Sequence, residues 1–239
     1  MKNVQDFNFQ NGEILLINKP IQWSSFDVVK KLRRSVGAKI GHAGTLDPLA
    51  TGLMIIGTGP FTKKLTELTE LTKEYTGTFF LGATTPSFDR ETETDSVSDI
   101  SGVTTDALYK AAKDLTGVIL QVPPAYSAIK IDGKRSYKLA RKGKAKELAP
   151  RQLEITEFEI TQINLPLVNF RVVCSKGTYI RALADDFGRS LGVGAYLYDL
   201  CRTRVGIYKL EDAWEVEDLA NQLLDLHKTQ TKDEDIQGH

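Results

Sequence analysis

Short runs and repeats of apolar residues divide most of the chain into strands and helices. Ile14, Leu15, Leu16 and Ile17 form an apolar run that begins after Gly12 and stops at Lys19-Pro20, which reads as a short, largely buried strand. Val28, Val29, Leu32 and Val36 recur at helical spacing; Ser24 or Ser25 can cap that helix and Gly37 ends it. A glycine-rich stretch over residues 41–52 leads into the apolar run 53–56. Residues 61–71 read as helix and the β-rich residues 73–81 as strand. The acidic residues 84–101 show no periodicity and predict an irregular, mobile loop. Residues 106–116 read as a helix with Leu108, Ala111, Ala112 and Leu115 inward, and Val122-Pro123-Pro124 breaks the chain. Residues 127–131 and 134–137, joined by Asp132-Gly133, suggest a hairpin or tight turn, followed by a basic helix and loop.

The second half continues with strands over 153–163 and 167–174. Residues 179–191 carry Ile180, Leu183, Ala184 and Phe187 on one helical face, and 193–210 supply further strand. An amphipathic helix over 214–226 comes last, with a polar, frayed tail beyond Lys228. Helices and strands are mixed without a regular βαβ repeat. The pattern predicts an α+β fold built on a mixed, mostly antiparallel sheet with flanking helices.

At 239 residues the chain is long enough to bury a core without disulfides or metals. No apolar run is long enough to cross a membrane as a helix, and residues 1–10 lack the apolar stretch of a secretory signal, so a cytoplasmic protein is expected. Cys174 and Cys201 sit in apolar, strand-like surroundings, and with His42, His227 and His239 they show no metal-ligand spacing. They read as small buried hydrophobes, and no metal is expected.

A formal net charge of zero conceals a strong polarity. Residues 210–239 carry nine acids against two bases, so residues 1–209 carry a net +7. Within that body, residues 130–151 hold nine bases against Asp132 and Glu147, while residues 89–106 hold six acids against Arg90. Such a split fits a basic face for a polyanion as well as ordinary solvated charge.

Asp47 stands out chemically. Gly37, Gly41, Gly44 and Gly52 surround it, Pro48 restricts it to extended backbone, and its flanks are apolar. Local physics leaves two readings open: a carboxylate presented into a cleft, or an Asx-type turn that caps backbone amides.

Longer motifs favour the first. Gly41-His42-Ala43-Gly44-Thr45-Leu46-Asp47-Pro48-Leu49-Ala50-Thr51-Gly52 resembles the signature of the TruB family of tRNA pseudouridine synthases. Three further stretches resemble family motifs in the right order: Asn18-Lys19-Pro20 with Trp23-Ser24-Ser25, Lys73-Glu74-Tyr75, and Ser175-Lys176-Gly177-Thr178-Tyr179-Ile180-Arg181. Together they span about residues 12–210. The resemblance implies a pseudouridine synthase fold with a central RNA-binding cleft. It also implies isomerisation of uridine 55 in the T arm of tRNA, with no cofactor and no metal. The enzyme is expected to act as a monomer.

The resemblance also implies roles. Asp47 matches the catalytic aspartate, and Arg181 the arginine that keeps it ionised, although an i,i+4 pair of Arg181 with Asp185 is open too. Tyr75 matches the tyrosine packed on the flipped base, His42 the histidine beside the vacated position, and Tyr179 and Leu200 further pocket residues. Lys19 supports the loop or simply ends a strand.

The synthase domain is expected over residues 1–210, with a thumb-like basic insertion at about 123–151. The acidic residues 211–239 are too few for the appended RNA-binding domain of many bacterial members. Cys201 replaces a usual arginine, and Asn18 and Gln22 replace a usual aspartate and glycine. Neutralising Lys142, Lys144 and Lys146 should weaken tRNA binding and flatten its salt dependence, with the log–log slope falling by about one for each phosphate deprived of its lysine. An unchanged slope in filter binding would remove the thumb assignment.

Overall fold

Local capping and apolar spacing set most element boundaries in the computed structural model, which describes residues 3–127, 129–131, 133–143 and 148–237. In chain order the first elements are β1 (Ile14–Lys19), α1 (Ser25–Val36), β2 (Ile40–Ala43), β3 (Ala50–Thr58), α2 (Leu65–Glu70), β4 (Lys73–Leu81), β5 (Ala83–Thr84) and β6 (Ser96–Val97). They are followed by α3 (Thr105–Asp114), β7 (Gly117–Gln121), β8 (Lys130–Ile131), β9 (Lys134–Arg135), α4 (Ser136–Ala140), β10 (Arg151–Asn164) and β11 (Leu167–Cys174). The last are α5 (Ile180–Ser190), β12 (Ala195–Val205), β13 (Tyr208–Lys209), β14 (Trp214–Glu215) and α6 (Val216–Gln237). Two compact units divide the chain, Met1–Lys73 with Cys201–His239, and Glu74–Leu200. The strand pairs are mostly antiparallel, so the expected α+β class holds.

In the first unit β1 lies between β14, parallel to it, and β3, antiparallel. β2 folds back on the second half of β3. Ser24 and Asp27 form the capping box that starts α1, and Gly37 at φ 61° ends it in the left-handed conformation. The core gathers Ala43, Leu53, Ile55 and Val205, with Leu65, Leu68 and Tyr208 packed against it. α1 packs on α6, where the Ser35 hydroxyl donates to the Ala220 carbonyl at 3.5 Å. Helix α6 runs to Gln237, past the point where its polarity predicted fraying. Residues 228–237 contain neither proline nor glycine to stop it.

In the second unit the strand order is β12, β4, β11, β10, β7. Phe79 and Phe170 stack at 4.1 Å, with Phe158 edge-on to Phe79 and Phe187 tilted against it, so four rings from three strands and α5 form the centre. The acidic stretch is irregular over most of its length, as expected, but it is fastened locally. β5 pairs with β6, Thr84 Oγ1 donates to Asp95 at 2.5 Å, and Ser87 Oγ donates to Asp89 Oδ1 at 2.6 Å. Its fastening comes from short polar side chains bonding locally, which leaves no apolar period to read. The hairpin near residue 130 is present as the β8–β9 pair, while Asp132 lies outside the described residues.

Gly52 shows why glycine is required in β3. Its φ is +101°, and a Cβ there would meet the Arg202 carbonyl oxygen at 2.4 Å and the Arg202 nitrogen at 2.7 Å. Gly52→Ala should therefore lower stability by about 1–3 kcal/mol or more. The check is the urea midpoint, and an unchanged midpoint would refute this account of the close approach.

Candidate active site

The residues between β2 and β3 carry Asp47, and side chains distant in sequence fasten them. Ser25, buried at the start of α1, accepts from the Leu46 N–H at 2.9 Å and donates to the Leu46 carbonyl at 3.1 Å. One hydroxyl thus fixes the peptide groups on both sides of Leu46. The Asp47 carbonyl accepts from the Ala50 N–H at 3.0 Å, which closes the turn through Pro48 and Leu49 by main chain. The Pro48 carbonyl accepts from the Gln22 N–H at 2.7 Å. Asp47 itself is half-buried.

Two cations complete the support. Lys19 is 0% exposed; its Nζ donates to the carbonyls of Trp23 at 2.7 Å and Pro20 at 2.9 Å and reaches that of Pro48 at 3.5 Å. Loop support is thus the role that the geometry gives Lys19. Arg202 is 1% exposed; its Nε donates to the Leu53 carbonyl at 2.7 Å and its Nη2 to that of Gly44 at 3.2 Å. Burial pushes the Lys19 ammonium down to about 8 from 10.5; the Asp47 carboxylate works against that shift and Arg202 with it. Burial also lowers the His42 pKa, assisted by Arg202 and opposed by the Gly44 backbone, so His42 is neutral at pH 7.

Tyr75, Tyr179, Arg181 and Leu200 belong to the second unit. Tyr75 is buried in β4, and Leu200 is half-buried in β12, the strand next to β4. Tyr179 immediately precedes α5, and Arg181 is buried in its first turn. Arg181 donates to the Ser87 carbonyl at 3.1 Å and the Tyr126 carbonyl at 2.9 Å, and its Nε lies 3.5 Å from Asp89 Oδ2. Asp185 pairs instead with Arg189 at 2.6 Å, so the i,i+4 alternative for Arg181 does not form. Asp89 is itself buried, and its Oδ1 accepts from Ser87 Oγ and from the Glu91 N–H at 2.9 Å. Breaking such a buried pair by removing one partner typically costs about 3–5 kcal/mol.

The positions named from sequence therefore fall into two sets, His42 in β2 with Asp47 on the connection that follows it, and the other four around β4, α5 and β12. Arg202 and Asp89 were not singled out from sequence. Arg202 sits among exposed and half-buried residues of β12, and Asp89 lies inside an acidic run that resembles solvated surface. In the basic segment Lys138, Arg141 and Lys142 are exposed, and Arg141 pairs with Glu91 at 2.5 Å and lies over the Tyr137 ring. Lys144 and Lys146 lie outside the described residues. Among the described residues no group of three or more His, Cys, Asp or Glu side chains could hold a metal, and no helix is long and apolar enough to cross a membrane. Cys174 and Cys201 form no disulfide, and the first is buried and the second half-buried.

Residues 30–180 match the family described as TruB family pseudouridylate synthase (N terminal domain), and residues 181–237 match the tRNA pseudouridylate synthase B C-terminal domain. A tRNA pseudouridine synthase B from Phocaeicola vulgatus is 52% identical over 217 residues, covering 88% of this chain and 92% of the relative. One of the same name from Flavobacterium johnsoniae is 51% identical over 216 residues, covering 87% and 94%. Among solved structures, the chain is similar to one described as a Cbf5-Nop10-Gar1 complex, with TM-score 0.71, 28% identity, and coverage of 92% of this chain and 56% of that one. It is also similar to an archaeal box H/ACA sRNP Nop10-Cbf5 complex, with TM-score 0.67, 27% identity, and coverage of 90% and 54%. This chain thus spans about half the length of the matched chains in both structures.

Lys19→Met would leave the carbonyls of Pro20 and Trp23 without their donor, and a loss of about 1–3 kcal/mol at pH 7 is expected from urea unfolding. The native lysine releases its proton near pH 8 and the unfolded one near 10.5, so the unfolded chain binds more protons between these values. Wild-type stability should therefore rise relative to Lys19→Met as pH increases from about 8 to 10.5. A difference that falls across that window would contradict the depressed pKa.

Proposed function

The chain belongs to the TruB family of pseudouridylate synthases, and from that premise we propose that it converts uridine 55 in the T arm of tRNA to pseudouridine, with Asp47 as the catalytic carboxylate. The observation that carries this reading is the fastening of the Asp47 connection by Ser25, Lys19 and Arg202. Such investment in one irregular segment is what a carboxylate needs if it must meet a substrate in a single pose.

The reaction is an isomerisation. The N1–C1′ bond breaks, the uracil turns while held, a C5–C1′ bond forms, C5 gives up its proton and N1 gains one. No electrons enter or leave. Positive charge develops on the sugar as N1 departs, and the Asp47 carboxylate stabilises C1′ at that moment. The target base is stacked inside a folded arm, so it is flipped out first, at a cost of about a few kcal/mol. Tyr75 packs on the flipped base, Tyr179 supplies a polar contact and Leu200 an apolar wall. His42, neutral at pH 7, stands at the vacated position in the arm. Arg181 is the cation assigned to the site, and its contacts with Ser87, Tyr126 and Asp89 hold its guanidinium in a fixed orientation.

The exposed bases Lys138, Arg141 and Lys142 contact phosphates and supply affinity without base readout. One chain carries both sets of site residues, so the reading describes a monomer acting on tRNA in the cytoplasm. The synthase domain in this reading spans residues 1–210 and includes the basic insertion.

Tritium release from tRNA carrying 5-tritiated uridine tests the proposal. Wild type should release tritium from one T-arm position, and Asp47→Ala should fall by at least about a thousandfold while still binding tRNA. Turnover by Asp47→Ala near the wild-type rate would sink the mechanism. Release from another nucleotide would sink the substrate assignment.

A further inference from the structure

Tyr179 occupies the N-cap position of α5, where serine, threonine, aspartate or asparagine is the usual choice, and its side chain makes no capping bond. The missing interaction comes from elsewhere. Gln121 ends β7, is 1% exposed, and its Oε1 accepts from the Tyr179 N–H at 2.9 Å, 58 residues away in sequence. A local cap has been given up so that an aromatic side chain can stand at this point, and a strand residue replaces it.

The segment that begins at Gln121 also holds the second site residue of α5. The Tyr126 carbonyl accepts from Arg181 Nη2 at 2.9 Å. Between these anchors lie Pro123 and Pro124, each with a fixed φ and no N–H, so the connection is stiff and cannot rebond through those positions. The other end of the Gln121 amide is idle. Its Nε2 is buried and meets no protein acceptor among the described residues. In the free protein the described contribution of the side chain is therefore its bond to Tyr179.

We propose that Gln121 is a positioning residue for the reaction: it fixes the backbone of Tyr179, and through it the pose of the flipped base, without itself touching the substrate. The inference rests on the reading of Tyr179 as a substrate-binding residue. A merely structural cap would matter equally whatever side chain position 179 carried. A positioning residue matters only while the tyrosine is there to be placed.

The idle amide makes the conservative variant informative. Gln121→Glu keeps an acceptor for the Tyr179 N–H, loses a donor that has no protein partner among the described residues, and places a carboxyl group at a buried position. An anion is also tolerated at a helix start. Gln121→Leu removes the acceptor at similar volume, and Gln121→Asn withdraws it by one methylene and serves where the leucine variant does not fold.

Single-turnover tritium release and filter binding are measured for these variants, alone and combined with Tyr179→Ala. Gln121→Leu, or Gln121→Asn, should slow the chemical step about three- to tenfold with tRNA affinity changed less than about twofold. Gln121→Glu should stay within about twofold of wild type. With Tyr179→Ala already present, the position 121 change should slow the reaction no further. Losses that multiply in the double variant, or a lower melting temperature at an unchanged rate, would overturn the proposal. Absence of tritium release from wild type would instead refute the functional reading itself, so the two failures are distinguishable.

Discussion

Everything proposed for Asp47 depends on main-chain carbonyls being held by buried cations. An irregular connection between strands turns several C=O groups inward, and each needs a donor. In the connection that carries Asp47, Arg202 supplies the donor at Gly44 and Lys19 reaches Pro48 at 3.5 Å; their other acceptors lie beside it, Pro20 and Trp23 between β1 and α1 and Leu53 in β3. Cationic donors form stronger hydrogen bonds than neutral ones, and one side chain can serve several acceptors. They also lose hydration on burial, and the depressed Lys19 pKa records that cost. Asp47 partly offsets it, since its carboxylate favours the charged lysine. The acid and its support are thus electrostatically linked within one unit.

The second unit solves a similar problem with a mixed set of partners. The Arg181 guanidinium spreads its donors over two carbonyls and one carboxylate, which fixes its plane as well as its position. Asp89 is in turn held by Ser87 and the Glu91 amide, so its geometry does not depend on Arg181 alone. The acidic stretch that supplies these groups therefore has a structural task despite its charge.

These couplings mark the limit of what the chain discloses before it folds. β1, α1, β4, β10, β11 and α5 were legible because their apolar spacing or caps are written in neighbouring residues, as with Ser24, Asp27 and Gly37 around α1. Asp47 was legible as a motif but only ambiguous as chemistry, because a turn cap and a catalyst use the same local sequence. Arg202 was not legible at all. The carbonyls it serves lie 149 and 158 residues away, and nothing beside it in sequence announces burial. Asp89 was misleading, since five other acids around it suggest surface. The extent of α6 was missed for the opposite reason: the polar residues that suggested fraying are also good helix formers.

An isomerisation that rearranges a single substrate, with no electrons entering or leaving, places most of its demand on position. The substrate brings its own leaving group and its own nucleophile, the same uracil turned around, so the protein contributes a charge in the right place and a surface against which the base can turn. Neither requires an unusual functional group, which is why composition alone is silent about the chemistry. Both require backbone that does not drift. A displacement of one ångström at a reacting centre can cost about a hundredfold in rate, and irregular segments are the least self-supporting parts of a fold. Buried lysine, arginine and glutamine bonds to the main chain of just these segments are the physical answer. They tie the connection carrying Asp47 and the start of α5 to the strands and helices beside them, at the expense of burying polar groups that a purely structural core would avoid.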